Sequence, residues 1–187
     1  MNEPKKILII TGAAPCVIDD LTALAMDDSQ ADFMAIGLDA VDRYPWPIRY
    51  CATYHPPDIP QIRARREALI GRVDFTIIFH EQRIKRIILN FAERRKERDN
   101  SYIIIAKHWT PSGSSSLLGV QAALAMGYRR IILCGCPLIG NNAKGGKYEK
   151  FQAGWEAVSN ELAGRVRSMS GWTAEFLGRP TEEWLNE

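Results

Sequence analysis

Short runs of consecutive apolar residues, separated by segments with helical periodicity, constrain the fold of this chain more than any other feature. The clearest runs are Ile7–Ile10 and Ile103–Ala106. A strand that is apolar at every position has no face for water, so it belongs in a sheet that is covered on both sides. Such strands, alternating with helices, predict a doubly wound α/β fold with a mostly parallel sheet.

The pattern predicts about six strands, with a helix after most of them. The predicted strands are 6–11, 33–38, 48–54, 74–79, 102–106 and 130–134, with 165–172 as a further candidate. The predicted helices begin after Pro15 and cover 61–71, 83–98, 114–126 and 151–163. No linker rich in Gly, Ser or Pro and no internal repeat interrupts this order, so we expect residues 1–187 to form a single domain.

Composition excludes several classes of protein. Of the 187 residues, 46% are hydrophobic and 25% are charged, with 24 basic and 22 acidic side chains. The apolar runs have the length of strands, whereas a membrane helix needs about 20 apolar residues. The four cysteines lack the spacing of a disulfide scaffold or a zinc site, and the N-terminus lacks a cleavage site. We therefore expect a cytoplasmic protein with no membrane partner.

Basic residues are concentrated in one segment. Residues 61–100 contain eleven basic and six acidic side chains, whereas residues 1–60 contain four and nine. A nucleic acid would suit this segment, but Glu93, Glu97 and Asp99 interleave with its basic residues. Interleaved charge of both signs is more typical of a solvated helix face, so nucleic acid is the disfavoured partner.

Ligands of an open parallel sheet bind beyond the carboxyl ends of its strands. The residues that follow the predicted strands include Gly12–Cys16, Asp39, 135–147 and all three histidines, His55, His80 and His108. Histidine titrates near neutral pH and can act as a general acid or base, although a surface histidine without a role fits the same pattern. We expect no metal site, because no carboxylate or cysteine pattern supports the histidines.

The segment after the fifth predicted strand is the richest candidate for an anion site. It turns at Gly113 and enters a helix through Ser114, Ser115 and Ser116. Unpaired N–H groups and the dipole at a helix N-terminus favour a phosphate, whereas ordinary N-capping explains the same serines. The first loop, Gly12–Cys16, is a second candidate, since small residues let a ligand approach the backbone. A tight turn needs the same residues, so both interpretations stay open.

Two stretches resemble motifs of a known superfamily. Gly113–Ser115, followed by 117–128 and 130–135, is similar to the late core motif of a Rossmann-like superfamily. That superfamily contains the archaeal-type 6-hydroxymethylpterin diphosphokinases and the bacterial CMP-sialic-acid-dependent sialyltransferases. Their first loop, Gly-x-Gly-Pro-Ser-Leu, is similar to Gly12–Val17.

The resemblance implies a nucleotide or nucleotide-sugar held between the two loops, and transfer of a glycosyl or diphosphate group from it. The implied anion-binding residues are Gly12, Ala13, Gly113, Ser114 and Ser115, and Asp39 is the candidate for the ribose or the base. Lys144 and Lys147 are candidates for a phosphate clamp, although an idle surface loop has the same composition. The candidates for proton transfer are His108 and His55. The residues alone imply no cofactor. Mg²⁺ bound together with the nucleotide is the one cofactor that stays open.

The chain departs from the family pattern at the proposed site. Cys136 and Pro137 stand where the families have an Asp, and Ala14 and Cys16 replace a Gly and a Ser of the first loop. Three functions therefore stay open: a nucleotide-dependent transferase, a ligand-binding or interaction protein with a degenerate site, and a nucleic-acid-associated protein that uses residues 61–100.

Overall fold

Strands and helices alternate along the chain, whose computed structural model describes residues 7–44, 46–71, 73, 75–80, 102–105, 114–140 and 147–186. The strands are β1 (Ile7–Thr11), β2 (Asp32–Ile36), β3 (Tyr50–Ala52), β4 (Thr76–His80), β5 (Tyr102–Ile105), β6 (Arg130–Cys134) and β7 (Val166–Ser168). The helices are α1 (Val17–Leu24), α2 (Ile59–Ile70), α3 (Ser115–Ala125), α4 (Gln152–Glu156), α5 (Ser159–Leu162), α6 (Gly171–Leu177) and α7 (Glu182–Asn186). Short 3₁₀ turns at Pro56–Asp58 and Tyr148–Phe151 precede α2 and α4.

The described strands form one sheet in the order β5-β4-β3-β2-β1-β6-β7, and every neighbouring pair is parallel. The chain starts in β1, moves outward to the edge strand β5, and returns to the other side of β1 with β6. This reversal makes the carboxyl ends of β1 and β6 the topological switch point, where open α/β sheets bind ligands. The predicted doubly wound, parallel architecture is confirmed, and the C-terminal candidate strand contains β7.

Helices on both faces explain why consecutive strand residues are apolar. Ile9 and Ile10 are adjacent in β1, point to opposite faces and are both fully buried. Ile10 belongs to the cluster that contains Leu118 of α3, and Ile9 belongs to the cluster that contains Leu21 of α1. Each such side chain contributes about 1.5–3 kcal/mol through burial, so both layers of helices stabilise the same strand. No helix in the described ranges has the length and apolar character needed to cross a membrane.

Helix α3 runs across the sheet from its carboxyl edge to its amino edge. A Cβ at Gly119 would lie 2.8 Å from Ile36 Cδ1 and 2.9 Å from Met34 Sδ, so a larger residue here would require these side chains to shift. The start of α3 contacts the end of β3 through a hydrogen bond between the Ser115 hydroxyl and the Tyr54 N–H. The helix therefore presents its N-terminus to the edge where ligands of such sheets bind.

One predicted helix is divided in the structure. The interval 151–163 contains the end of a 3₁₀ turn, then α4 and α5. Between these helices Val158 has φ −113° and ψ 15°, which is outside the helical region. Gly154, Ser159 and Asn160 are weak helix formers, so the segment lacks the propensity to remain one helix. The predicted helix 83–98 lies outside the described residues.

A buried polar cluster closes the amino edge of the sheet. Asp32, at the start of β2, accepts a 2.6 Å hydrogen bond from the Tyr128 hydroxyl and lies 3.4 Å from the Arg49 guanidinium. The Tyr128 hydroxyl also lies 3.4 Å from the Tyr50 hydroxyl. Burial raises the pKa of Tyr128 above its ordinary value, so the phenol stays a neutral donor. Tyr128 thereby joins the turn after α3 to the starts of β2 and β3.

Replacing Tyr128 by Phe is expected to lower the free energy of unfolding by about 1–3 kcal/mol, because the buried Asp32 carboxylate loses its 2.6 Å hydrogen bond. Tyr50→Phe is the matched control and should cost less, since the Tyr50 hydroxyl makes the longer, 3.4 Å contact to Tyr128. Urea unfolding followed by circular dichroism measures both. Equal losses in the two variants would contradict the assigned role of Tyr128.

Candidate functional site

The carboxyl edge of the sheet gathers the candidate residues that the structure describes. Gly12 follows β1, Asp39 lies in the connection after β2, His55 lies just beyond β3, and His80 ends β4. Because these strands are parallel, all four positions lie at one edge, as predicted. Three further candidates lie outside the described residues: His108, Gly113 and Lys144.

The first loop packs against the loop that follows β6. The Gly12 N–H donates to the Cys134 carbonyl at 2.8 Å, and the Ala14 N–H reaches the next carbonyl, that of Gly135, at 3.3 Å. A Cβ at position 12 would lie 2.1 Å from the Gly135 carbonyl oxygen and 2.8 Å from Cys136 Sγ. Close approach of the chain to itself therefore accounts for glycine at this position, and two amides of the loop are already engaged.

A buried carboxylate in the first turn of α1 was missed by the sequence analysis. The Asp20 carboxylate accepts a 2.7 Å hydrogen bond from the Gly135 N–H and a 2.8 Å hydrogen bond from the Ser170 hydroxyl. Its negative charge already complements the positive end of the α1 dipole, so a phosphate there would meet a like charge. The first loop, with its half-buried Ala13, is therefore the weaker of the two predicted phosphate sites.

The cysteines near this carboxylate are not activated nucleophiles. Burial raises the pKa of the Cys16 thiol, and the negative charge of Asp20 adds to the rise, against a 3.4 Å hydrogen bond with Ser170. Burial raises the pKa of Cys136 to about 12 and that of Cys134 well above its ordinary value. All three thiols stay protonated at neutral pH, where the thiolate is the reactive form.

The second predicted phosphate site is the start of α3, where serines cap the helix. The Ser114 hydroxyl accepts a hydrogen bond from the Leu117 N–H at 3.4 Å and lies 2.8 Å from the Ser116 hydroxyl. The Ser115 hydroxyl accepts the Tyr54 N–H at 3.2 Å. Capping is thus one role of these serines.

The first turn of α3 carries no acidic side chain, in contrast to the first turn of α1. The positive end of the α3 dipole is therefore not complemented by a carboxylate in that turn.

His55 is the histidine that the structure places beside the start of α3. It is exposed, and it directly follows Tyr54, which contacts Ser115. Its N–H donates to the Thr53 hydroxyl at 2.9 Å, which fixes the backbone at the end of β3. Two strand spacings, roughly 10 Å, separate this position from the end of β1. The start of α3 and the first loop therefore lie at the same edge of the sheet, with the end of β2 between them.

The predicted polar ligands Asp39 and Lys147 are both exposed at this edge. The Asp39 carboxylate lies 3.7 Å from Arg65 Nη1 of α2, and the Asp39 carbonyl accepts from Arg43 Nε at 3.0 Å. An exposed ion pair of this kind contributes about 0–1 kcal/mol, so a ligand hydroxyl can compete for the carboxylate. Lys147 directly precedes the turn that begins at Tyr148.

Two arginines in the described part of the basic segment, Arg65 and Arg66, contact the connection between β2 and β3. Arg66 is fully buried, and its guanidinium donates to the carbonyls of Val41, Tyr44 and Trp46. Arg65 faces carboxylates of the same connection between β2 and β3. These arginines hold a loop in place, and residues 72, 74 and 81–100 lie outside the described ranges.

Comparison of the sequence with known proteins assigns no family to the chain. No family model matches the sequence, and a search of curated proteins finds no match. Within the part of the chain that the structure describes, no group of three or more His, Cys, Asp or Glu side chains is placed to hold a metal ion.

Replacing Asp20 by Ala is expected to lower the free energy of unfolding by about 1–3 kcal/mol, because the buried Gly135 N–H loses its acceptor. Asp19→Ala is the matched control, since Asp19 is the exposed neighbour in the same turn and should change stability by less than about 0.5 kcal/mol. Denaturant unfolding measures both variants. Similar values for the two would show that Asp20 does not join the loops.

Proposed function

We propose that the protein binds a nucleotide or nucleotide-sugar at the carboxyl edge of its sheet and transfers a glycosyl or diphosphate group from it. The start of α3 carries this proposal. Ser115 joins it to the end of β3 beside His55, and its first turn contains no acidic side chain. The N–H groups and the helix dipole at the start of α3 have no carboxylate in their own first turn to complement them. They therefore favour the phosphates of a ligand.

The roles of the other residues follow from the chemistry of transfer. A general base removes a proton from the acceptor, and positive charge stabilises the phosphate that leaves. His108 and His55 are the candidates for the base, and the exposed Lys147 is, together with Lys144, a candidate for the leaving phosphate. Asp39 suits a hydroxyl of the sugar, because its carboxylate is exposed and only weakly paired.

A binding protein without catalysis is the second candidate, and one contact favours it. A Cβ at Gly171 would lie 2.4 Å from Pro137 Cβ, so Pro137 packs tightly against the start of α6. The position where the similar families carry an acidic residue is therefore filled by packing of the chain. Affinity for nucleotides without turnover would be the expected result for such a protein.

Ser115→Asp is expected to weaken nucleotide binding about tenfold or more without destabilising the fold. A carboxylate at the first position of α3 complements the helix dipole, but it repels a phosphate within a few ångströms. Thr181→Asp is the matched control, because Thr181 accepts the Trp184 N–H at the start of α7 and gains the same charge. Trp184 donates to the Gly164 carbonyl, which lies before β7 at the opposite edge.

Isothermal titration with CMP, UDP and ADP, together with thermal unfolding of each variant, measures the effect. The proposal requires loss of affinity in Ser115→Asp and unchanged affinity in Thr181→Asp. Equal affinities in both variants would show that the serines at α3 are only a cap. Absence of nucleotide binding by the unaltered protein would contradict the proposed function.

His108→Ala is expected to lower turnover by about a hundredfold or more with little change in nucleotide affinity, as loss of a general base does. His108 precedes Ser114 by six residues in the sequence and is favoured over His55 for this reason. His55→Ala is the comparison and should have the smaller effect. Transfer assays with nucleotide-sugar and nucleoside triphosphate donors measure both. Turnover unchanged in His108→Ala would remove this residue from the mechanism.

A further inference from the structure

An arginine cluster, Arg130, Arg165 and Arg167, lies at the amino edge of the sheet, where β6 and β7 begin. Arg130 is the first residue of β6, and Arg165 and Arg167 flank the first residue of β7. Ile131 pairs in register with Val166. The Ile131 N–H also donates to the Arg165 carbonyl at 2.9 Å, so Arg130 and Arg165 are neighbours across the two strands.

The indole ring of Trp184 in α7 contacts two of these guanidinium groups. Arg130 Cζ lies 5.9 Å and Arg167 Cζ lies 5.5 Å from the centroid of the ring, distances at which an aromatic face attracts a cation. Trp184 is itself fixed, because it is only 6% exposed and its Nε1–H donates to the Gly164 carbonyl at 2.7 Å. Two guanidinium groups are thus positioned on one buried ring, so they lose little freedom when they bind a partner.

Backbone carbonyls engage only part of the remaining donors. Arg167 Nη1 donates to the Leu177 and Val166 carbonyls at 2.7 Å and 3.3 Å, and Arg165 Nη2 donates to the Tyr128 carbonyl at 3.2 Å. A guanidinium group has five N–H donors in a planar fork, so both arginines keep several donors for a partner. The Arg165 side chain is exposed and that of Arg167 is half-buried.

In the described part of the chain, no carboxylate forms an ion pair with the arginine cluster. Two further arginines, Arg129 and Arg179, are exposed at its rim. Arg129 directly precedes Arg130, and Arg179 follows a glycine that packs against the Arg167 side chain. Like charges on neighbouring strands repel one another, so binding of an anionic partner would relieve this repulsion.

The surroundings of the cluster favour a polypeptide over a nucleic acid. Glu182 and Glu183 are exposed in α7, directly before Trp184. A nucleic acid has a phosphate at every step of its backbone, and these would meet the two carboxylates. Its bases would also need an exposed aromatic face, whereas Trp184 is buried. A polypeptide has neutral N–H groups between its carboxylates, and these can face Glu182 and Glu183.

We propose that the arginine cluster is a docking surface for an acidic segment of a partner protein. Arginine pairs with carboxylates through two parallel hydrogen bonds, and arginine clusters recognise acidic motifs in this way. In an extended segment alternate side chains share a face and lie about 7 Å apart, which is the spacing of two residues along β7 from Arg165 to Arg167. The surface therefore fits a segment with an acidic residue at every second position.

The test measures binding of a fluorescein-labelled peptide of alternating glutamate and serine to the full chain by fluorescence anisotropy. Arg130→Gln and Arg165→Gln should each weaken binding about tenfold, the loss expected for one charge-assisted contact. Arg43→Gln is the matched control, because Arg43 is exposed, donates one hydrogen bond to the Asp39 carbonyl at 3.0 Å and lies outside the cluster. This variant should bind the peptide as the unaltered protein does.

The unaltered protein provides a measurement that does not depend on folding of a variant. The glutamate peptide should bind at least about tenfold more tightly than the same peptide with glutamine in place of glutamate, and added NaCl should weaken its binding. Equal affinity for the two peptides, or unchanged affinity in both Arg130→Gln and Arg165→Gln, would overturn the inference. Tighter binding of a single-stranded thymidine oligonucleotide than of the glutamate peptide would overturn it in favour of nucleic acid.

The inference is independent of the proposed function, since the arginine cluster and the proposed nucleotide site lie at opposite edges of the sheet. Nucleotide affinity should therefore be the same in Arg130→Gln, Arg165→Gln and the unaltered protein. A protein that binds the glutamate peptide and no nucleotide would contradict the proposed function alone. One that binds nucleotides and does not distinguish the two peptides would contradict the docking surface alone.

Discussion

The carboxylate of Asp20 joins segments that follow three different strands. It lies in α1 after β1, and it accepts hydrogen bonds from Gly135 after β6 and from Ser170 after β7. A buried carboxylate is costly unless such donors compensate for its lost hydration, so the three segments are held together as one unit. This unit brings the Gly135 carbonyl against Gly12, so the first loop is packed against the loop after β6.

The amino edge of the sheet contributes to stability and the carboxyl edge contains the proposed site, and α3 runs from one edge to the other. At the amino edge, Tyr128 and Asp32 form a buried hydrogen bond that contributes to stability. At the carboxyl edge, the start of α3 contacts β3 and opens beside the exposed His55. Gly119 of α3 packs against Met34 and Ile36 of β2, and Tyr128 after α3 is bonded to Asp32, so the position of the helix N-terminus depends on contacts along the whole helix. The proposed phosphate site therefore depends on the core beneath it.

Much of the fold and part of the site could be predicted from the sequence. Fully apolar strands such as Ile7–Ile10 require cover on both faces, which is sufficient to indicate a parallel, doubly wound sheet. Parallel strands bring their carboxyl ends to one edge, so the positions of Gly12, Asp39 and His55 followed directly. These are consequences of local pattern and of a geometric rule that holds for every sheet of this class.

Only the tertiary structure decided how these segments meet. Asp20 resembles an ordinary acidic residue of a first helical turn, and nothing local shows that it binds Gly135, 115 residues away. The tertiary structure likewise decided that α3 begins over β3 and that Tyr148 is bonded to Gly140 in the loop after β6. Hydrophobic pattern and propensity describe each segment alone. The pairing of distant segments depends instead on packing and on the need of each buried polar group for a partner, which the complete fold alone provides.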